Sequence, residues 1–239
     1  SKTFSDWFGQ GSTLTVDSDA VWNLVEGRSR SNLIGYQVGT GAIVTLPRSN
    51  SETVKIPLGP LANPVSVRFL AVTQYFLTIT GRSGITYSVA SQTGDNWFDT
   101  GTTTQIQSLY VWGEVPGKSR ENLISYTLDG VSTSLPRANR GSAGPTVTFN
   151  EGHSLTFNSV TQYLLTISGG SNTAYVGSQT NDGWYDQDTT ARAQTDYTWK
   201  IAQEKERNNL VTWQIDEGAP TSVPRSSGGT FVSQSITMD

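Results

Sequence analysis

The chain has no cysteine and a single histidine, His153. Disulfide staples, thiol nucleophiles and thiolate metal sites are therefore excluded. A Ser-His-Asp relay or a histidine-rich zinc site has little to draw on. Charged residues make up only 15% of the sequence, against about 25% in an average soluble protein. Long charged helices are missing too. The net charge is −4 and the basic residues are scattered, which argues against nucleic acid as the main partner. No apolar run reaches the length of a helical membrane span, and no Asn-x-Ser/Thr sequon occurs.

What the chain has is glycine, serine, threonine and aromatics, the last at 10%, enough to build small cores. It also repeats itself. The segments SKTFSDWFGQG from Ser1, SQTGDNWFDTG from Ser91 and SQTNDGWYDQD from Ser178 align position for position. Trp7, Trp97 and Trp184 share one column, Trp22, Trp112 and Trp199 a second, and Arg30, Arg120 and Arg207 a third. The offsets are 90 and 87 residues in each column. Every copy carries an arginine tripeptide further on, LPR at Leu46 and Leu135 and VPR at Val223. Fixed spacing across so many positions marks internal repeats.

Within each copy the periodicity is that of strands. In NLIGYQV, NLISYTL and NLVTWQI, one face carries Ile34, Tyr36 and Val38, then Ile124, Tyr126 and Leu128, then Val211, Trp213 and Ile215. In VTQYFLTITG and VTQYLLTISG, Tyr75, Leu77 and Ile79 share a face, as do Tyr163, Leu165 and Ile167. Turn residues cluster between these runs. GKSRENL from Gly117 and AQEKERNNL from Ala202 read as exposed charged loops. The fold class expected is all-β: tandem Ig-like β-sandwich domains in three repeats, spanning residues 1–72, 73–160 and 161–239. β-Grasp-like repeats are the alternative.

Both outer repeats read as unfinished. No TQY strand precedes Ser1, and no counterpart of VTFNEGHSLTFNSV follows the final SITMD. A sandwich without one strand exposes an unpaired edge and an open core. The chain is either a piece of a longer array or takes the absent strand from a neighbour by β-strand addition. Self-association, or neighbouring repeats of a longer chain, is the partner expected.

The order TQY-x-LTI, a Gly/Ser turn, D-x-WYD-x-x-TT, R-x-NL-x-x-W-x-ID and a closing S-x-SITMD resembles repeats of large prokaryotic extracellular proteins. These are mainly archaeal, of the S-layer and adhesin type, and are similar also to divergent internalin-type B-repeats. The resemblance implies a structural or adhesive role at the cell surface, without catalysis. Gly9 departs from the pattern, standing where the later copies have Asp99 and Asp186.

No residue set suggests an active site, and no cofactor is indicated. Asp182, Asp186 and Asp188 are the best calcium candidates, although acidic turn residues more often shape the backbone. Trp22, Trp112 and Trp199 lie in strand-like runs and read as core. Trp7, Trp97 and Trp184 sit in polar surroundings and are candidates for glycan stacking or for packing against a neighbouring domain. Repeated aromatic sites make a carbohydrate-binding protein the alternative function. Arg30, Arg120 and Arg207, each with an asparagine two residues on, read as structural.

Overall fold

The computed structural model describes residues 5–60, 64–81, 84–202 and 206–239, with the side chains of 201 and 202 left aside. Among the described residues it is all β, with no helix. The first copy supplies β1 (Leu14–Asp19), β2 (Val21–Val25), β3 (Ser29–Val38), β4 (Ile43–Thr45) and β5 (Thr53–Leu58). β6 (Val67–Thr80) leads into the second copy. Next come β7 (Thr86–Tyr87), β8 (Trp97–Asp99), β9 (Thr103–Leu109), β10 (Val111–Val115), β11 (Ser119–Leu128), β12 (Val131–Ser134), β13 (Ser142–Ala143) and β14 (Thr146–Thr148). β15 (His153–Leu164) leads into the third copy. That copy holds β16 (Ala174–Val176), β17 (Trp184–Asp186), β18 (Thr190–Asp196), β19 (Thr198–Ala202), β20 (Glu206–Asn209), β21 (Thr212–Trp213), β22 (Thr221–Ser222), β23 (Thr230–Val232) and β24 (Ile236–Thr237).

The strands gather into two compact units that cut across the sequence repeat. The first comprises residues 1–107, 127–132 and 144–156, and the second residues 108–126, 133–143 and 157–239. The reason is visible in β6, one strand that runs straight through the repeat boundary at residues 72 and 73. Its first half pairs antiparallel with β3, from Val67 opposite Val38 to Tyr75 opposite Ser29. Its second half pairs antiparallel with β8 and parallel with β15, Leu77 lying opposite His153 and Thr80 opposite Thr156. One strand thus closes one copy and opens the next.

In the first unit β1 pairs with β5, and β9 pairs with β7 and β14. Its buried side chains include Leu33, Ile56, Leu77, Phe98, Ile106, Phe149 and Leu155, with Phe98 stacked on Phe149 at 4.2 Å between ring centres. In the second unit β10 pairs with β11, β17 with β15, and β18 with β16, β23 and β24. There Tyr185, Ala191 and Met238 form a core, packed by Tyr163, Leu165, Tyr175 and Ile236. Burial pushes the Tyr185 phenol above its ordinary pKa.

Two expectations from the sequence need correction. The GKSRENL segment is a turn leading into strand β11, whose Arg120, Asn122 and Leu123 are buried; its polar residues are buried because they are hydrogen-bonded. The matching AQEKERNNL segment has Gln203, Glu204 and Lys205 outside the described residues, and strand β20 begins directly after them. In β3 the most buried positions are Arg30, Asn32, Leu33 and Gly35, while Ile34, Tyr36 and Val38 are only half-buried. The register against β6 slips between Leu33 and Gly35, so a bulge switches the face that points inward. Gly35 is obligatory there, because a Cβ would sit 2.5 Å from the Val44 carbonyl oxygen.

Candidate functional site: a lock between successive repeats

The site lies where the arginine strand of one copy meets the glutamine strand of the next. Along β3, Arg30 and Asn32 point to the same side, because side chains alternate along a strand. Gln74 on β6 lies opposite Arg30 in the ladder. The Arg30 Nε donates to Gln74 Oε1 at 2.8 Å, and Gln74 Nε2 donates to Asp99 Oδ1 at 2.9 Å. Asp99 in turn takes an ion pair from Arg48, the arginine of the LPR tripeptide. Arg30 also reaches Asp95, with Nη1 to Oδ2 at 2.9 Å, and its Nη2 donates to Thr93 Oγ1 at 3.0 Å.

The second unit repeats the arrangement group for group. Arg120 Nε donates to Gln162 Oε1, and Gln162 Nε2 to Asp186 Oδ1, both at 2.9 Å. Arg120 pairs with Asp182 at 3.1 Å and donates to Thr180 Oγ1 at 3.0 Å. Arg137 pairs with Asp186. Each lock therefore joins two guanidinium groups and two carboxylates around one neutral amide, and the formal charges cancel. Arg30 and Arg120 are only 6% and 5% exposed, so full pairing is what makes their burial tolerable.

The loop that presents the aspartates is shaped by residues suited to the left-handed region. Gly94 and Asn96 flank Asp95 with φ of 71° and 63°. Asn181 and Gly183 flank Asp182 in the same way, at 57° and 87°. Glycine and asparagine take that conformation at least cost. A serine closes the loop, Ser91 Oγ donating to Trp97 O at 2.7 Å and Ser178 Oγ to Trp184 O at 2.9 Å. The tryptophan then lies under the arginine, with Cζ 4.6 Å from the Trp97 ring centre and 4.5 Å from that of Trp184, a cation–π contact.

This geometry places the sequence candidates differently from one another. Trp97 and Trp184 are 8% and 7% exposed, whereas Trp7 is 96% exposed. Of the two readings of Trp97 and Trp184, an open stacking face does not hold, because the arginine of the preceding copy covers them; packing against a neighbouring copy is what these contacts show. Trp22, Trp112 and Trp199 are half-buried. Asp182 and Asp186 are engaged by Arg120 and Arg137. Asp188 occupies a left-handed turn, φ 62°, at the position of Gly11 and Gly101. Among the described residues no group of three or more His, Cys, Asp or Glu is placed to hold a metal ion.

Sequence pattern alone did not single out Gln74 and Gln162, nor Arg48 and Arg137. Their signal was available: a glutamine in the TQY strand of both later copies, and an arginine tripeptide at the matching place in every copy. His153 sits apart from the lock. Its Nδ1 lies 2.6 Å from Asp129 Oδ2, and Asp129 Oδ1 accepts from the Ser154 backbone N–H at 2.8 Å. Burial acts to raise the Asp129 carboxyl, but the Ser154 N–H and the adjacent imidazole outweigh it and hold the pKa below the usual aspartate value.

Comparison of the chain with protein-family models, with curated proteins and with solved structures gives no match.

Proposed function

We propose that the chain is a non-enzymatic extracellular structural protein, a building block of a cell-surface layer, filament or adhesin stalk assembled through β-strand edges. Each copy is, on this reading, a small Ig-like β-sandwich completed by its successor. The observation that supports it most is the lock itself: Arg30 finds Gln74 and Asp95, and Arg120 finds Gln162 and Asp182, in the next copy, not their own. A protein whose most elaborate polar constellation joins repeat to repeat is built to propagate an array. The extracellular assignment rests on the likeness of the repeat motifs to archaeal and bacterial surface repeats. The buried, arginine-covered state of Trp97 and Trp184 leaves Trp7 as the one exposed member of that column for the carbohydrate-binding alternative.

Two measurements test this reading. Immunogold labelling of the source cells is expected to decorate the outer surface in a continuous or filamentous pattern. Electron microscopy of the native material is expected to show a regular repeat. Diffuse cytoplasmic labelling, with no ordered assembly, refutes it.

A further inference from the structure

In the third copy the arginine half of the lock has no glutamine or carboxylate against it among the described residues. Arg207 and Arg225 stand where Arg30 and Arg48, and Arg120 and Arg137, stand in the closed copies. Both are exposed, and among the described residues neither meets a carboxylate or a glutamine. Leu210 is half-buried, while its counterparts Leu33 and Leu123 are 1% and 0% exposed. The backbone tells the same story. β3 and β11 run ten residues each without a break, but the matching stretch of the third copy is split into β20, four residues, and β21, two.

A second edge in the same copy, the side of residues 165–168 away from Gly183, also has no partner strand among the described residues. Residues 165–168 carry the sequence LTIS, equivalent to the LTIT of residues 77–80. The latter are strand because His153–Leu164 pairs parallel with them; the former belong to no strand. The rest of this half-site is nonetheless preformed. Leu210 N donates to Tyr197 O at 2.8 Å, as Leu33 and Leu123 donate to Ala20 and Tyr110 at 2.8 Å. Asn209 holds the Ser226 carbonyl, as Asn32 and Asn122 hold those of Ser49 and Ala138.

We propose that the third copy is an acceptor for one strand-and-loop segment of this same repeat type. The occupant is an extended strand of the pattern S-x-T-F-x-x-V-T-Q-Y followed by a T-x-D-x-W-x-D loop. Its first half adds in parallel beside residues 165–168. Its glutamine and first aspartate engage Arg207, its tryptophan stacks on that guanidinium, and its second aspartate pairs with Arg225. Strand addition supplies backbone hydrogen bonds, and the lock supplies selectivity. The proposal rests on the assembly reading above and names its partner.

A second copy of this chain does not meet the requirement. Its own glutamine strands are engaged in Arg30 and Arg120. Its first loop has Ser5 and Gly9 in place of the two aspartates. The occupant is therefore a complete segment of this repeat type other than those within residues 1–239, whichever chain carries it.

The test uses the full 239-residue chain and a synthetic peptide of its own residues 153–188. Saturable binding is expected, with hydrogen-exchange protection gained at residues 165–168 and 207–213. A chain carrying Arg207→Ala and Arg225→Ala, both exposed sites that leave the fold intact, is expected to bind about 30-fold more weakly or worse. A peptide carrying Gln162→Leu, Asp182→Asn and Asp186→Asn is expected to lose as much. No binding, binding indifferent to these changes, or protection elsewhere overturns the proposal. So does sedimentation of the chain alone as a dimer protected at these same segments, since a second copy is then the occupant. If the peptide fails and native material still forms an ordered surface array, the acceptor site falls and the assembly reading stands.

Discussion

Gln162 is held at both ends of its amide: its oxygen accepts from Arg120 and its nitrogen donates to Asp186, each at 2.9 Å. A neutral side chain thereby sets the distance between a buried cation and a buried anion. Neither glutamate nor leucine reproduces this, because one lacks the donor and the other lacks both groups.

Gln162→Leu is expected to lower stability by about 3 kcal/mol, since it leaves two charged groups short of a buried partner. Urea unfolding followed by tryptophan fluorescence measures it, Trp184 lying directly under Arg120. A loss below about 0.5 kcal/mol, the range of ordinary surface changes, shows that the amide is not structural.

Gly144 lies against the backbone of Ile106, where a Cβ would meet the carbonyl oxygen at 2.0 Å. Gly144→Ala must displace one of two paired segments, for Ile106 N donates to Pro145 O at 2.9 Å. The expected cost is about 2 kcal/mol or more. Gly59→Ala, at a site with open space around it, is the control and changes the denaturation midpoint little.

Asn23, Gly113 and Lys200 occupy one position in the three copies, all with positive φ of 50° to 60°. The ladder slips at this point in each hairpin. Lysine is strained there, so Lys200→Gly is expected to stabilise by about 1 kcal/mol. Differential scanning calorimetry should show a higher midpoint; a lower one means the Lys200 side chain contributes more than its backbone strain removes.

Acid sensitivity arises at Asp129. Its folded-state pKa is depressed, so it contributes stability that is present above the unfolded value, about 3.9, and is lost as pH falls through the folded value. Asp129→Asn is expected to be less stable than the parent at pH 6, the gap narrowing steadily below about pH 4. Denaturant midpoints across that range check the sign; a gap that widens on acidification contradicts it.

Strand content and the repeat were legible because both depend on local pattern: alternation in the TQY segments, glycine and asparagine at left-handed turns. The lock was harder to read. Arg30 and Asp95 are 65 residues apart, and nothing local marks them as partners until β6 is known to cross the repeat boundary. The same crossing hid the burial of Trp97, whose polar neighbours Asp95 and Asn96 suggest an exposed turn. Face assignment along β3 failed for another reason: a bulge at Leu33 and Gly35 is a break in period that a periodic reading does not contain.

The continuity of β6 has a mechanical corollary. Because the strand that seals one copy is covalently the strand that begins the next, a copy cannot be unravelled without loosening the one beside it. Tension applied to the chain is met by the long antiparallel β3–β6 seam with its buried ion pairs. Damage at one seam should then register as softening of two neighbours rather than one.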